Sequence, residues 1–172
     1  MNYGIYQSVR NAAWQCLIDC GITELPLKPV IIAQKYGVNC KRATAEYLKG
    51  KSGEILRDNN SNVIILTNVN DIVKRRRYTI MHELGHFVLG HLGNEPLSRS
   101  ESDCRPEEEQ AADKFAINML APACVLWGLD LHTPEEIAKV CDISMQAATY
   151  RAERMKILYK RNKFFTEPIE RD

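Results

Sequence analysis

The sequence predicts an α+β protein, mostly helical, with a small β-sheet. Two observations carry this. Long segments repeat apolar residues at helical spacing between recognisable start and stop residues. A single stretch of β-branched residues folds back around a polar, Asn-rich turn.

The elements follow in chain order. Residues 3–20 read as an amphipathic helix that Gly21 ends. Pro26 and Pro29 lead into a short helix over Val30–Tyr36, closed by Gly37 in a left-handed conformation. Val38–Lys41 predicts a short strand. Gly53–Arg57 and Val63–Thr67 are β-prone runs flanking Asp58–Asn62, a hairpin signature. Asp71 is the expected N-cap of a long helix to about Leu89, stopped by Gly90 or Gly93. A polar, acidic loop over 94–106 follows. Pro106 opens a helix to Leu120, and Pro122 begins a short helical piece that Gly128 closes. Thr133-Pro134-Glu135-Glu136 combines an N-cap, a first-turn Pro and a capping-box Glu. Ser144 caps a final helix to about Tyr159. The expected organisation is a main domain over 1–130, a helical segment over 131–163 packed on it, and a tail over 164–172.

Bulk properties narrow the functional classes. The chain has 172 residues, 45% hydrophobic and 26% charged, with a formal net charge of +1. It is long enough for one real core, and whole-molecule steering toward nucleic acid or acidic lipid is not indicated. There is no run of about 18 apolar residues that would span a membrane. The N-terminal stretch is interrupted by Arg10 and Asp19, unlike a secretory signal. The six cysteines form no C-x-x-C pair, so reduced thiols in a cytoplasmic protein are expected.

The chemistry concentrates in His82-Glu83-Leu84-Gly85-His86. On a helix His86 lies about 40° from His82, so both imidazoles reach one metal ion, and Glu83, about 100° away, can take a proton from water there. Ile80, Leu84, Phe87 and Val88 point to the opposite, core side. The bland alternative is a surface helix with incidental histidines. Catalytic zinc generally takes three protein ligands. His91, about 180° from His82 and on the core side unless Gly90 breaks the helix first, reads as a structural or helix-end residue. Glu109 is the better third ligand: it lies in the first turn of the next helix, with Asp113 one turn later to hold a ligand imidazole by its second nitrogen. Glu107 and Glu108 read as acids favouring a helix N-terminus.

Several segments resemble the ImmA/IrrE family of zinc metallopeptidases. They are residues 25–29, Arg77 to His86 with Leu89-Gly90-His91, and Glu109 to Ala116 with Leu120-Ala121-Pro122. Ile143-Ser144 with Arg151 resembles the family's closing helical segment. The resemblance implies a zincin-like, gluzincin-type domain with zinc on His82, His86 and Glu109 and Glu83 as general base. It also implies cleavage, or other relief, of a helix-turn-helix repressor, often of a phage or mobile element. Asp113 stands where the family often has Asn, and Ala121 where Met is common.

Four residues, Tyr78, His132, Tyr150 and Arg151, are candidate donors to a tetrahedral oxyanion, and sequence does not choose among them. Two other readings compete. One is a DNA-binding helix-turn-helix over 136–147, with Lys156, Lys160, Arg161 and Lys163 beyond it. Against it stand Asp142 at the turn and Met145, Ala147 and Ala148 in the second helix, poor readers of bases. The other is a partner-binding protein that displaces a repressor without hydrolysis. The basic run Lys74-Arg75-Arg76-Arg77 reads as a solvated face, or as a guide for an acidic substrate segment toward the cleft.

Overall fold

The computed structural model describes residues 3–92 and 106–160. The expected acidic loop falls almost wholly outside these residues, as do the tail over 164–172, Arg161 and Lys163. The elements are α1 (Tyr3–Asp19), α2 (Pro29–Lys35), β1 (Val38–Ala43), β2 (Gly53–Arg57), β3 (Val63–Asn68), α3 (Val73–Val88), α4 (Pro106–Leu120), α5 (Ala123–Gly128), α6 (Pro134–Cys141) and α7 (Met145–Lys160). The architecture is α+β, as the sequence predicts.

The sheet has the order β1-β3-β2. β2 and β3 form the expected antiparallel hairpin, with Ile55 opposite Ile65. Asp58 builds its turn by accepting the backbone N–H groups of Asn60 and Asn62 at 2.9 and 2.8 Å, the local bonding that favours Asp in turns. β1 adds to the other edge of β3 in parallel, Val38 opposite Val63. Every residue of the central strand is buried, because both faces are covered. Val63 and Ile65 enter the main core, while Ile64 and Leu66 pack with Leu48.

α3 lies against β2 and β3 on one side and α4 on the other. Two glycines set these approaches. A Cβ on Gly53 would collide with the Thr79 methyl and lie 2.5 Å from the Leu66 carbonyl oxygen, so β2 rests directly on α3. A Cβ on Gly85 would meet the Phe115 ring and Cβ at 3.0–3.2 Å, so the missing side chain lets α4 come close. Phe115, Leu84 and Met81 are fully buried in this contact region.

Helix ends follow the sequence with two departures. Gly37 and Gly90 take positive φ as helix stops, Thr133 and Glu136 form the reciprocal capping box, and Ser144 Oγ accepts the Ala147 N–H at 3.2 Å. Asp71, however, does not cap α3. The N-cap is Ile72, with no side-chain hydrogen bond, and Asp71 lies one residue before it, its N–H bonded to the Asn68 carbonyl at 3.2 Å. α5 is ended by Leu129 and the left-handed Asp130, one and two residues beyond Gly128.

The basic run is not simply a solvated face. Arg77, whose side chain is 13% exposed, donates to the carbonyls of Leu27, Cys141 and Asp142 at 2.9–3.2 Å. It also pairs with the Asp142 carboxylate at 3.4 Å. Lys74 donates to the Ile143 carbonyl at 3.1 Å and Arg76 to that of Asp71 at 2.5 Å. Three of the four cations therefore join α3 to the chain around it. Arg151 is another structural cation: 3% exposed, it donates to the Ala121 carbonyl at 2.6 Å and to Asn118 Oδ1 at 3.1 Å.

Candidate metal centre

α3 supplies a rigid platform because its core face is fixed by Ile80 and Leu84, both buried. On the facing side, His82 and His86 bring their Nε2 atoms to 3.1 Å of each other. α4 adds Glu109, with Oε2 3.1 Å from His82 Nε2 and Oε1 3.3 Å from His86 Nε2. The ligating atoms of all three residues lie within 4.8 Å of one another.

The donor set fits a divalent cation. Ligands about 2.1 Å from a tetrahedral zinc are separated by about 3.4 Å, close to the spacing found here. The second ring nitrogens say the same. His82 Nδ1 lies 2.9 Å from Asp113 Oδ1, and a carboxylate oxygen there requires Nδ1 to carry a proton, which in the neutral ring leaves Nε2 bare. His86 Nδ1 faces His91 Nδ1 at 3.0 Å; with the proton on His86 Nδ1, its Nε2 is bare too. Two imidazole nitrogens and a carboxylate converging on one point form a donor set that suits a shared positive charge.

Asp113 takes a second hydrogen bond on the same oxygen, from the Tyr78 hydroxyl at 2.9 Å. Burial alone would raise the Asp113 carboxyl, but the His82 and Tyr78 hydrogen bonds hold it below the usual carboxylate range. Burial disfavours the His82 imidazolium, yet the Asp113 hydrogen bond and surrounding carboxylates raise its pKa overall. Burial, with Asp113 beside it, also raises the Tyr78 phenol well above its ordinary value, so it stays a donor.

These residues line a cleft of about 570 Å³. α3 forms its floor, β2 one wall and α4 the other. Glu83, only 9% exposed, lines the same cleft as His82, His86, Glu109 and Asp113. The structure thus brings together all five residues singled out in the sequence. Of the four candidate donors, Tyr78 lines the cleft. His132 instead stacks on Tyr159 and pairs with Asp130 at 2.7 Å. Tyr150 meets Lys114, and Arg151 is committed to Ala121 and Asn118.

Sequence reasoning missed the His91 contact. Gly90 (φ 76°) ends the helix, as the sequence allows, and the His91 N–H bonds back to the His86 carbonyl at 2.8 Å, which makes His91 a helix-end residue whose ring reaches His86.

Known proteins share this geometry's frame. No curated protein matches the chain. Among solved structures, a Mycobacterium tuberculosis transcriptional regulator superposes with a TM-score of 0.57 at 10% identity, over 84% of this chain and 46% of that one. This chain thus spans under half of that protein, and the likeness is one of fold. The IrrE N-terminal-like domain, a peptidase M78 family, matches residues 32–153. That stretch carries both histidines, Glu83, Glu109 and Asp113, and the chain belongs to the IrrE N-terminal-like family.

Proposed function

We propose that the chain is a zinc-dependent endopeptidase with a zincin-like, gluzincin-type fold that cleaves a helix-turn-helix repressor of a phage or mobile element. The observation that carries the reading is the convergence of His82, His86 and Glu109 on one point, in a cleft that also holds Glu83. In this reading the first three hold the ion, Asp113 orients His82, and Glu83 is the general base. Zinc, when bound, supplies Lewis acidity that makes water nucleophilic near neutral pH and polarises a carbonyl.

This chain's own residues do the rest. The Glu83 carboxylate accepts the proton of the attacking water and returns it to the leaving amine. Asp113 fixes the His82 ring through Nδ1, and His91 does the same for His86. Among the described residues β2 is an edge strand along the cleft, the position from which a sheet can take up an extended substrate segment. Family membership supports the repressor target, and with such a target the proposed reaction is a cytoplasmic one. Among the described residues, no helix is long and apolar enough to cross a membrane.

The test is Glu83→Gln, incubated with a candidate helix-turn-helix repressor and followed by mass spectrometry of fragments. The variant is expected to bind one zinc and release no fragments, whereas the wild type cleaves. Retained cleavage overturns the mechanism, and repressor displacement without fragments in both proteins gives the non-hydrolytic reading. Direct DNA contact through α6 and α7 has less support. Arg151 faces the interior, and Asp142, at the turn, is tied to Arg77 and Lys74.

A further inference from the structure

Among the described residues, Arg75 is the one cation of the basic run that does not donate to the backbone of a neighbouring segment. Its Nε instead donates to Ser52 Oγ at 2.9 Å, which pins the side chain to the wall of the metal cleft. Among the described residues, neither Nη group has a protein acceptor. A guanidinium anchored through Nε and exposed at its other edge is the geometry that receives a carboxylate with two parallel hydrogen bonds.

Its place in the cleft sets the distance. Arg75, Thr79, His82 and His86 recur at helical spacing along the face of α3 that lines the cleft. Seven residues separate Arg75 from His82, about 10 Å along the axis. β2 runs beside this face in the same direction, Ser52 at Arg75 and Gly53 at Thr79. An extended peptide advances about 3.3 Å per residue, so the same 10 Å spans about three residues. Glu83, Glu109 and Asp113 gather around the histidines, Lys51 adjoins Ser52 at the Arg75 end, and Glu54 follows Gly53 along the wall.

We propose that Arg75 is a specificity-determining residue that selects substrates carrying an Asp or Glu side chain about three residues from the scissile bond. The inference rests on the peptidase reading.

The experiment uses the zinc-loaded protein and a synthetic decapeptide mixture, with the cleaved products sequenced. The wild type is expected to enrich Asp and Glu about tenfold at one position two to four residues from the cut, the scale of one charge-assisted hydrogen bond. Arg75→Ala abolishes the enrichment, and Arg75→Glu replaces it with Lys and Arg, both variants retaining their zinc. A wild-type profile without acidic preference, or a preference that survives Arg75→Ala, overturns the proposal. A parallel arm needs no turnover: Glu83→Gln protein loaded with zinc selects binders from the same mixture, and an acid-rich bound pool that Arg75→Ala abolishes is expected. Absence of cleavage with an acid-rich pool defeats the peptidase reading alone; cleavage without acid selection, or a bound pool indifferent to Arg75, defeats the subsite.

Discussion

Replacing Asp113 separates charge from geometry at the metal centre. His82 Nδ1 and the Tyr78 hydroxyl both meet the same oxygen, Oδ1, at 2.9 Å. Asn can place its carbonyl oxygen there and turn its amide outward, where the half-exposed side chain (54%) meets water. Asp113→Asn therefore keeps both hydrogen bonds and loses the charge. A hydrogen bond to a charged group is worth about 1 kcal/mol more than a neutral one, and solvent screening trims this, so zinc affinity should fall about three- to tenfold. Asp113→Ala frees the His82 ring altogether and should cost about 10- to 100-fold. Competition for zinc against a chromophoric chelator reads both. If the Ala variant binds zinc as tightly as the wild type, or the Asn variant as poorly as the Ala variant, the orienting role of Asp113 is refuted.

Three other outcomes follow from the packing. Gly53→Ala gains strand propensity worth about 0.5–1 kcal/mol. It also forces a methyl to 2.5 Å from the Leu66 carbonyl oxygen, and such overpacking costs about 1–3 kcal/mol; urea titration should show net loss of stability with an unchanged m-value. Arg151→Ala leaves the Ala121 carbonyl and Asn118 without their donor and opens a cavity. Calorimetry should record a loss of about 3–5 kcal/mol, while any folded fraction keeps its zinc. Glu136 is held below its ordinary pKa by the backbone and side chain of Thr133. That stabilisation is complete above the unfolded carboxyl value of about 4.3 and is lost as pH falls through the lower folded value. The Tm difference between the wild type and Glu136→Ala should accordingly narrow below about pH 4.

What the sequence made legible was whatever local spacing dictates. Residues four apart on α3 and α4 had to share faces, so spacing alone pairs His82 with His86 and Glu109 with Asp113. Thr133 and Glu136 satisfied each other within one turn. What escaped depended on chain reversal or distant partners. Asp71 looked like a cap, but the helix begins one residue later and Ile72 holds the N-cap position. The parallel pairing of β1 with β3 joins Val38 to Val63, and no local pattern encodes that. The basic run looked like surface until the carbonyls of residues 141–143 arrived beside Lys74 and Arg77.

Those carbonyls decide where the protein could be shortened. A chain cut at residue 130 would retain every side chain of the cleft, yet it would strip Arg77 of two carbonyl acceptors and its carboxylate counterion. Each lost charged hydrogen bond costs about 1.5–3 kcal/mol. The smallest unit that can hold the histidine helix in place therefore extends past Ile143: the last two helices are the clamp on one end of the beam that bears the chemistry.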